Sequence, residues 1–365
     1  MRQLKIFVDC HVFDGGLQGT TTYLKGLYTE LIKDKTIKYY LASCDIENLK
    51  SIFGEHYNVE YLQYKSHNKY IRLLYDIPML IKKNKIDFAH FQYIVPPIKK
   101  CKYIVTIHDV LFLDFPTYFP LKYRFVNKWL FMLSAKYSDI VLSVSEYSKT
   151  KIQKHFKISN VSITPNAVDP VFFETYDKKE AIEKIKSKYN FENYFLFVSR
   201  WEPRKNHDLL LKVFVEKEYY KDYSIVFVGD MAIPNKAYNV YFDSLDNTIK
   251  NKIKVLNKVN FNELLELVRG SNLSVYPSIA EGFGIPPLES LAANVPTVCS
   301  NSTAMSDFEF IDDCLFNPFS SSDLNAKIIN GINDKNVSEK RLNVLNKFNW
   351  KVAAINFKNA ILKKI

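Results

Sequence analysis

The chain has 365 residues, of which 47% are hydrophobic and 24% charged, a globular composition whose length predicts two domains. No apolar run approaches about 18 residues, so no membrane-spanning helix is predicted, and the first residues, MRQLKIFVDC, are typical of a strand and lack a signal-peptide layout. Five scattered cysteines without a Cys-x-x-Cys pair indicate reduced thiols in a cytoplasm, and neither zinc nor a disulfide framework.

Positive charge is concentrated in the first half of the chain. The formal net charge is +11; residues 1–175 hold 24 Lys and Arg against 16 Asp and Glu, whereas residues 176–365 hold 26 against 23. A basic first half suits nucleic acid, an anionic membrane surface or a phosphorylated substrate. No nucleic-acid-binding motif accompanies the charge, so no nucleic-acid partner is predicted, and a solvated basic face without any partner also explains it.

Strand-like and helical segments alternate along the first half. The predicted strands are KIFVDC, YYLAS, FAHFQ, YIVTIH, IVLSVS and VSITP. The predicted helices between them include TTYLKGLYTELIK and SKTKIQKHF. Alternation of this kind predicts a parallel sheet with helices on both faces, in which ligands bind at the carboxyl ends of the strands.

The same alternation resumes after a charged interval at residues 168–192, and a hinge is predicted near 170–175. The strands predicted beyond it are YFLFVSR, YSIVFVGD, IKVLNKV, LSVYPS and TVCS. The helices include NHDLLLKVFVEK, FNELLELVRG and LESLAA. An amphipathic last helix is predicted from an apolar stripe formed by Trp350, Ala354, Phe357 and Ile361.

A glycine-bearing turn follows the first predicted strand. Gly15, Gly16 and Gly19 lie in DGGLQGTTTYLKGL, before a helix predicted to begin near Thr20 or Thr21. Such a turn presents backbone amides to an anion, but it is not the G-x-G-x-x-G fingerprint of dinucleotide-binding domains. The missing fingerprint argues against a dehydrogenase.

Basic residues cluster at the end of the predicted strand YFLFV. Arg200, Arg204 and Lys205 lie in SRWEPRKN. Cations at the carboxyl end of a strand suit a diphosphate, because they neutralise the charge that develops on such a leaving group. An ordinary surface loop explains the cluster equally well when it is considered alone.

Two acids flank an unusual turn in EGFGIPPLE. Because proline is favoured at the first position of a helix and not inside one, a helix is predicted to begin near Pro286 or Pro287. Glu289 would then lie in the first turn and Glu281 on the preceding loop, with Gly284 letting a ligand approach the backbone. The N–H groups of a helix start form an anion site, although acids that merely offset the helix dipole also explain the pattern.

Other kinds of catalytic site receive little support. His108 follows a predicted strand in IHDV, where a packed structural histidine and a catalytic one are equally good interpretations. The sequence has no His-Glu-x-x-His, EF-hand loop or tight Asp-x-Asp, so no catalytic metal is predicted. It also lacks a G-x-S-x-G elbow, which weakens a serine-hydrolase interpretation.

These segments together resemble family 4 of the retaining glycosyltransferases. The resemblance covers nearly the whole chain and is carried by QGTTTYLKGL, VTIHDV, IVLSVSEYSKTKI, VSITPNAVD, FVSRWEPRKN, IVFVGD and LSVYPSIAEGFGIPPLESLAANVPTV. It implies the GT-B fold, an α/β architecture of two facing Rossmann-like domains with parallel sheets. The implied domains are 1–172 for the acceptor, joined by a crossing helix at 350–365, and 173–349 for the nucleotide-sugar.

The resemblance implies catalytic roles for four side chains. His108 matches the histidine near the donor sugar and the reacting centre, and Glu281 matches the acid that holds the transferred sugar. Arg200 and Lys205 match the pair that binds the donor diphosphate. The implied chemistry is a retaining, same-face transfer through an oxocarbenium-like state, in which the protein supplies positioning and charge stabilisation without a metal or another cofactor.

The resemblance also implies donor contacts for further residues. Glu289 matches the acid on the nucleotide ribose. Gly19 matches the glycine whose backbone approaches the diphosphate, and Gly16 lies in the same turn. The remaining donor contacts implied, through the backbone, come from Phe283, Gly284 and Ile285.

The predicted function is hexosyl transfer from a nucleotide-sugar to a saccharide acceptor. The resemblance to mannosyltransferases of polysaccharide pathways favours GDP-mannose as the donor, with a UDP-sugar second, and a lipid-linked surface polysaccharide or O-antigen as the acceptor. The alternative is a non-catalytic GT-B protein that binds a sugar or a partner. Retention of Arg200, Lys205, Glu281 and Glu289 argues against that alternative.

Two basic, aromatic segments bear on the location of the protein. Residues 64–85 and 115–131, the latter with Lys122, Arg124 and Lys128, have the composition of a membrane interface. An ordinary core helix with a solvated basic face is the simpler interpretation of each. The expected location is the cytoplasm, with peripheral contact at the inner face of the cell membrane.

Overall fold

Two parallel sheets organise the chain. The computed structural model describes residues 3–15 and 19–365, and within these ranges the sheets follow the strand orders β3-β2-β1-β4-β5-β6-β7 and β10-β9-β8-β11-β12-β13. The strands are β1 Leu4–Asp9, β2 Ile37–Ser43, β3 Val59–Gln63, β4 Phe88–Gln92, β5 Lys102–Thr106, β6 Ile140–Ser143, β7 Val161–Ile163, β8 Tyr194–Val198, β9 Ser224–Val228, β10 Ile253–Leu256, β11 Leu273–Tyr276, β12 Thr297–Ser300 and β13 Leu315–Phe316. When the strands of each sheet are numbered from one in chain order, both sheets begin 3-2-1-4, as doubly wound sheets do.

The first compact unit joins the chain up to Ala167 with Phe348–Ile365. Its central strand β4 is buried at all five positions, because helices cover both faces of a parallel sheet. A π-helix at Arg72–Asp76 and 3-10 helices at His11–Asp14 and Pro116–Tyr118 interrupt the longer elements. The helices before Ala167 are α1 Gly19–Leu31, α2 Ile46–Phe53, α3 Lys69–Ile71, α4 Ile77–Asn84, α5 Leu111–Asp114, α6 Leu121–Tyr137 and α7 Glu146–Phe156.

The hydrophobic core of this unit lies against one face of the first sheet. Phe7 and Phe91 come from its strands, whereas Ile81 and Phe131 come from α4 and α6, and all four are at least 95% buried. His90 neighbours Phe91 in β4 and therefore points to the opposite face, where its Nδ1 lies 2.8 Å from the hydroxyl of Tyr28 on α1. The helices α4 and α6 thus cover one face, and α1 covers the other.

The second unit, Val168–Lys347, is a six-stranded sheet with helices within the described range. Residues 170–173, inside the predicted hinge, form a 3-10 helix. The α-helices of the second unit are α8 Lys178–Tyr189, α9 His207–Glu216, α10 Lys236–Asp243, α11 Asn247–Lys250, α12 Phe261–Gly270, α13 Ile285–Ala292, α14 Ser321–Ile332 and α15 Val337–Lys347. Its further 3-10 helices are Pro203–Lys205, Tyr219–Lys221, Thr303–Asp307 and Glu309–Cys314. The predicted fold class, α/β with two Rossmann-like parallel-sheet domains, is confirmed.

The last helix, α16 at Trp350–Leu362, returns to the first unit and packs on α1. The indole of Trp350 fills the space where Gly26 of α1 has no side chain, so a Cβ there would overlap the ring. The ring centroids of Tyr28 and Phe357 lie 6.0 Å apart. An ion pair of 3.1 Å joins Lys358 to Asp34. The amphipathic last helix predicted from the sequence is confirmed.

All five cysteines are free. Within residues 3–15 and 19–365, no helix combines the length and the apolar character needed to cross a bilayer.

Candidate active site

The basic loop after β8 is fixed to the segment that follows β11. Asn206 has a left-handed backbone with φ 63°, and its Nδ2 donates hydrogen bonds to the carbonyl oxygens of Pro277 and Pro318 at 3.1 and 2.8 Å. The backbone N–H of Ile279 donates to the carbonyl oxygen of Arg204 at 2.8 Å. These bonds bring the loop to the carboxyl edge of the second sheet, where ligands of doubly wound domains bind.

Glu281 lies between two cations of this loop. Its Oε1 is 2.5 Å from Nζ of Lys205, and its Oε2 is 3.4 Å from Nη1 of Arg204. Nη1 of Arg204 also donates to the carbonyl oxygen of Ala280 at 2.5 Å. The three charged side chains are only 13–17% exposed. The structure therefore brings Lys205 and Glu281 into direct contact and adds Arg204, which the sequence placed in the basic cluster but to which the family resemblance gave no role.

Burial and charge act in opposite directions on these groups. Burial alone would raise the pKa of Glu281, but the attraction of Lys205 and Arg204 outweighs it and holds that pKa below its usual value. Burial lowers the pKa of Lys205, while the charge of Glu281 opposes the shift. An ionised carboxylate can accept hydrogen bonds from sugar hydroxyls, and the neighbouring cations can bind phosphate oxygens.

Thr303 fixes the backbone at Glu281. The N–H of Glu281 donates to Oγ1 of Thr303 at 2.8 Å, and Thr303 itself has a positive φ of 55°. Ser302 donates from its hydroxyl to the carbonyl oxygen of Ile279 at 2.7 Å. The segment after β12 therefore supports the loop that carries the acid. No local sequence motif indicated this support, because Thr303 is 22 residues from Glu281.

Gly284 permits the turn that starts α13. It precedes the helix with φ 101°, a conformation that residues with a side chain rarely adopt. A Cβ at this position would lie 2.9 Å from Cγ of Met305. Ile285 is the first helical residue, and the buried ring of Phe283 lies 6.0 Å from that of Phe308. The three residues predicted to offer backbone contacts thus form the entrance to the helix.

The predicted position of Glu289 in the first turn is wrong. The helix begins at Ile285 and not at Pro286 or Pro287, so Glu289 is its fifth residue. The difference arises because Gly284 occupies the N-cap, which moves the proline pair to the second and third helical positions. Burial, reinforced by the negative charge of Asp169, raises the pKa of Glu289 to about 7.

Arg200 stands apart from the buried charges. Its side chain is 66% exposed, and Nε lies 3.8 Å from Oε1 of Glu202, too far for a strong pair. The structure therefore does not join Arg200 to the contact between Lys205 and Glu281, although all three belong to the same edge of the second sheet.

The first glycine turn is described in part. Gly19 is the first residue of α1, one position before the predicted helix start, and a Cβ on it would meet no described atom within 4 Å. Among the described residues, none therefore covers the side of Gly19 on which a Cβ would stand. Gly16 lies outside the described residues, so its role stays a prediction.

His108 follows β5 in the first unit and is almost fully buried. Its Nε2 lies 2.7 Å from Oε1 of Gln92, and its ring centroid lies 5.0 Å from Tyr23 and 5.3 Å from Tyr93. Burial lowers the pKa of His108 to about 3. The imidazole is therefore neutral near pH 7 and donates its N–H to Gln92, which leaves Nδ1 as an acceptor.

Two groups of side chains among the described residues have the spacing of metal ligands. Asp14, Cys44 and His67 form one group in the first unit, and Asp313, Cys314 and Asp334 form the other. In the second group, Nζ of Lys340 lies 2.6, 2.9 and 2.7 Å from these three side chains, so an ammonium already supplies the positive charge. Neither group includes a residue of the Glu281 cluster.

Two family models match most of the chain. The model described as Glycosyltransferase Family 4 matches residues 18–172, and the model described as Glycosyl transferases group 1 matches residues 178–347. A region of 198 residues, 54% of this chain, is 32% identical to O-antigen chain mannosyltransferase RfbU of Salmonella typhimurium and spans 51% of that relative. Over 329 residues the chain is 24% identical to O-antigen chain mannosyltransferase B of Escherichia coli, covering 82% of this chain and 85% of the relative.

A solved structure shows the same fold. A glycosyltransferase from Rickettsia africae ESF-5 superposes with a TM-score of 0.74 at 18% identity, over 100% of this chain and 98% of that chain. Two Rossmann-like domains and this structural match define the GT-B fold. The chain belongs to glycosyltransferase family 4. The chain spans about half the length of the relative from Salmonella typhimurium.

Proposed function

We propose that the chain transfers a hexose from a nucleotide-diphosphate sugar to a saccharide acceptor with retention of the anomeric configuration. The observation that carries the proposal is the ionised Glu281 between Lys205 and Arg204, at the carboxyl edge of the second sheet. Hydroxyl-binding and phosphate-binding groups are thereby adjacent, as a sugar attached to a diphosphate requires. Membership in family 4 supports the reaction class.

The proposed role of each charged site residue follows from the sign of its charge. Lys205 and Arg200 neutralise the charge that develops on the departing diphosphate, and Glu281 accepts hydrogen bonds from the transferred sugar. Glu289, in its ionised form, accepts hydrogen bonds from both ribose hydroxyls. Since protein cations stabilise the leaving group, we propose that the reaction needs no metal.

The entrance of α13 and the first unit supply the remaining proposed contacts. Backbone N–H groups at Phe283, Gly284 and Ile285 are proposed to face the phosphates and the sugar, and Gly19 with Gly16 to approach the diphosphate. His108 is proposed to bind near the donor sugar. A neutral imidazole suits that role, because it can accept a hydroxyl hydrogen bond at Nδ1 without adding charge.

GDP-mannose is the proposed donor, and a UDP-sugar is the second choice. Support comes from the two O-antigen chain mannosyltransferases to which the chain is similar. For the same reason, the proposed acceptor is a saccharide of an O-antigen or another surface polysaccharide, carried on a lipid. A lipid-linked acceptor requires peripheral contact with the cytoplasmic face of a membrane, which is part of the proposal.

Nucleotide binding followed by donor turnover tests the function. The purified protein is heated with GDP, UDP, ADP or dTDP, with and without EDTA, since a ligand that binds only the folded state raises its melting temperature. We expect GDP to stabilise most, EDTA to have no effect and Glu289→Gln to weaken the shift. Transfer from GDP-α-mannose to lipid-linked saccharide, with an α-linked product by NMR, completes the test. A β-linked product contradicts retention, and nucleotide binding without donor turnover favours the non-catalytic alternative.

A further inference from the structure

Helix α6 exposes an apolar surface. Only Phe131, Ser134 and Ala135 of its 17 residues are buried. Folded monomers seldom expose large contiguous apolar patches unless those patches bind something. The large apolar side chains of α6 that are exposed are Leu121, Tyr123, Phe125, Val126, Trp129, Leu133 and Tyr137.

The exposed side chains of α6 form a stripe. Leu121, Phe125, Trp129 and Leu133 are spaced four residues apart and therefore follow one another along the helix surface. The buried Phe131 is two residues from Leu133, about 200° around the helix, and so lies on the opposite side. One side of α6 thus serves the core of the first unit, and the other presents Leu, Phe and Trp to the outside.

Charge on α6 indicates what covers the stripe. The helix carries Lys122, Arg124, Lys128 and Lys136 and contains neither Asp nor Glu. A second copy of α6 would oppose these cations with identical ones, which disfavours a self-association surface. An anionic lipid surface complements them, because Trp and Tyr rings prefer the headgroup region and basic side chains reach its phosphates.

We propose that α6 lies in the plane of an anionic membrane surface, with Leu121, Phe125, Trp129 and Leu133 inserted among the lipids. Amphipathic helices with a basic polar component bind membranes in this way without crossing them. The inference deepens the proposed function and rests on it for its purpose: docking brings the first unit to an acceptor held in the bilayer. Lipid binding itself requires neither donor nor acceptor.

Vesicle binding of matched variants tests this surface. The 365-residue chain is sedimented with phosphatidylglycerol vesicles or with phosphatidylcholine vesicles, without nucleotide. We expect strong binding only to the anionic vesicles, and a loss of about tenfold or more in Phe125→Ser/Leu133→Ser, because two inserted side chains are removed. The control pair Phe319→Ser/Leu342→Ser changes side chains of the second unit that are 72% and 58% exposed, against 66% and 58% for the test pair, and should bind as the parent does.

Three results would overturn the proposal. They are no binding to anionic vesicles, equal loss in the test and control pairs, and a concentration-dependent dimer in sedimentation velocity that only the test pair abolishes. Replacing Lys122 and Lys128 with Gln should weaken binding to the anionic vesicles and reduce its dependence on salt. An unchanged affinity would exclude charge complementarity between α6 and the lipid surface. Thermal stabilisation by GDP, measured on the same variants, reports the proposed function separately, so either idea can fail without the other.

Discussion

The loop before α13 and the helix itself carry acids in opposite electrostatic states. Both Glu281 and Glu289 are largely removed from water, which by itself raises the pKa of an acid. Glu281 has cations beside it and remains a stronger acid than usual. Glu289 has the negative Asp169 nearby, and its pKa rises to about 7. Two identical side chains, eight positions apart, are thus assigned different charges by their neighbours.

Glu281 therefore carries a permanent charge, whereas the charge of Glu289 is conditional on pH. Glu281 offers a carboxylate throughout the physiological pH range, which suits a contact with the transferred sugar. Glu289 is close to half ionised near pH 7, so its ability to accept hydrogen bonds from a ribose varies with pH. Substitutions at Glu281 and at Glu289 should therefore differ in their effects on turnover and on the pH dependence of stability and binding.

Removing the permanent charge or its partner should have the largest effect. Glu281→Ala and Lys205→Ala are each expected to lower turnover by about 10²–10³-fold, because preorganised charge at the reacting centre is lost. Transfer of labelled hexose is the measurement, with circular dichroism to verify the fold. Lys212→Ala, which changes an exposed lysine of α9, is the control and should retain activity. Near-normal turnover in both site variants would rule out this assignment.

Removing the conditional charge should alter the pH dependence. An acid whose folded-state pKa is raised contributes stability at low pH, and the contribution is lost as pH rises through the folded value, here about 7. Urea titrations of the protein without nucleotide should therefore show a decrease of about 2 kcal/mol between pH 5 and pH 8 that is absent in Glu289→Gln.

Donor affinity should change in the opposite direction with pH. The parent protein should bind nucleotide more tightly as pH rises through about 7, because the carboxylate that accepts the ribose hydroxyls forms there. Calorimetric titration with GDP at several pH values measures this trend, and Glu289→Gln should bind weakly at every pH. An identical pH trend in the variant would assign the effect to another group.

A change at the junction between loop and helix should have an intermediate effect. Gly284→Ala adds a Cβ where φ is 101° and where Met305 is 2.9 Å away, so we expect a destabilisation of about 1–2 kcal/mol by urea titration. Gly54→Ala is a suitable control, since Gly54 also has a positive φ, 71°, but its nearest contact is at 3.8 Å. A smaller loss in the control would isolate the contribution of the clash.

The smallest effect is expected at Asp169. Asp169→Asn removes a negative charge that raises the pKa of Glu289 but keeps an oxygen that can accept from the N–H of Val171. The pH midpoint of nucleotide binding should move slightly downward, with turnover at pH 8 unchanged. Asp177→Asn alters another helix cap of the same unit and should leave the midpoint in place.

Eleven of the thirteen described strands lie in segments predicted as strands, and β3 and β13 do not. The segment FAHFQ is β4, and all five of its positions are buried, as is typical of a parallel sheet covered on both faces. The edge strand β3 was missed, since none of its five residues is fully buried and its sequence, VEYLQ, is mixed in polarity. β13 has two residues and gives no periodicity. The charged α8 was also not predicted, because only Ala181 and Ile185 are buried.

Motifs located the candidate site but not its interactions. The stretches SRWEPRKN and EGFGIPPLE contain Lys205, Arg204 and Glu281, yet their contact spans 76 residues of sequence and depends on how β8 and β11 align. The raised pKa of Glu289 depends on Asp169, which is distant in the chain. The resemblance implied a role for each acid; only the three-dimensional arrangement distinguishes their charges.

The return of α16 to α1 has a consequence for how the protein is made. The first unit is discontinuous, so its core can be completed only after the whole second unit has been synthesised. At about 5–20 residues per second, roughly 10–40 s separate the synthesis of Ala167 from that of the last helical turn. During that interval the surface of α1 around Gly26 lacks Trp350 and Phe357, so the nascent chain exposes the part of α1 that α16 later covers.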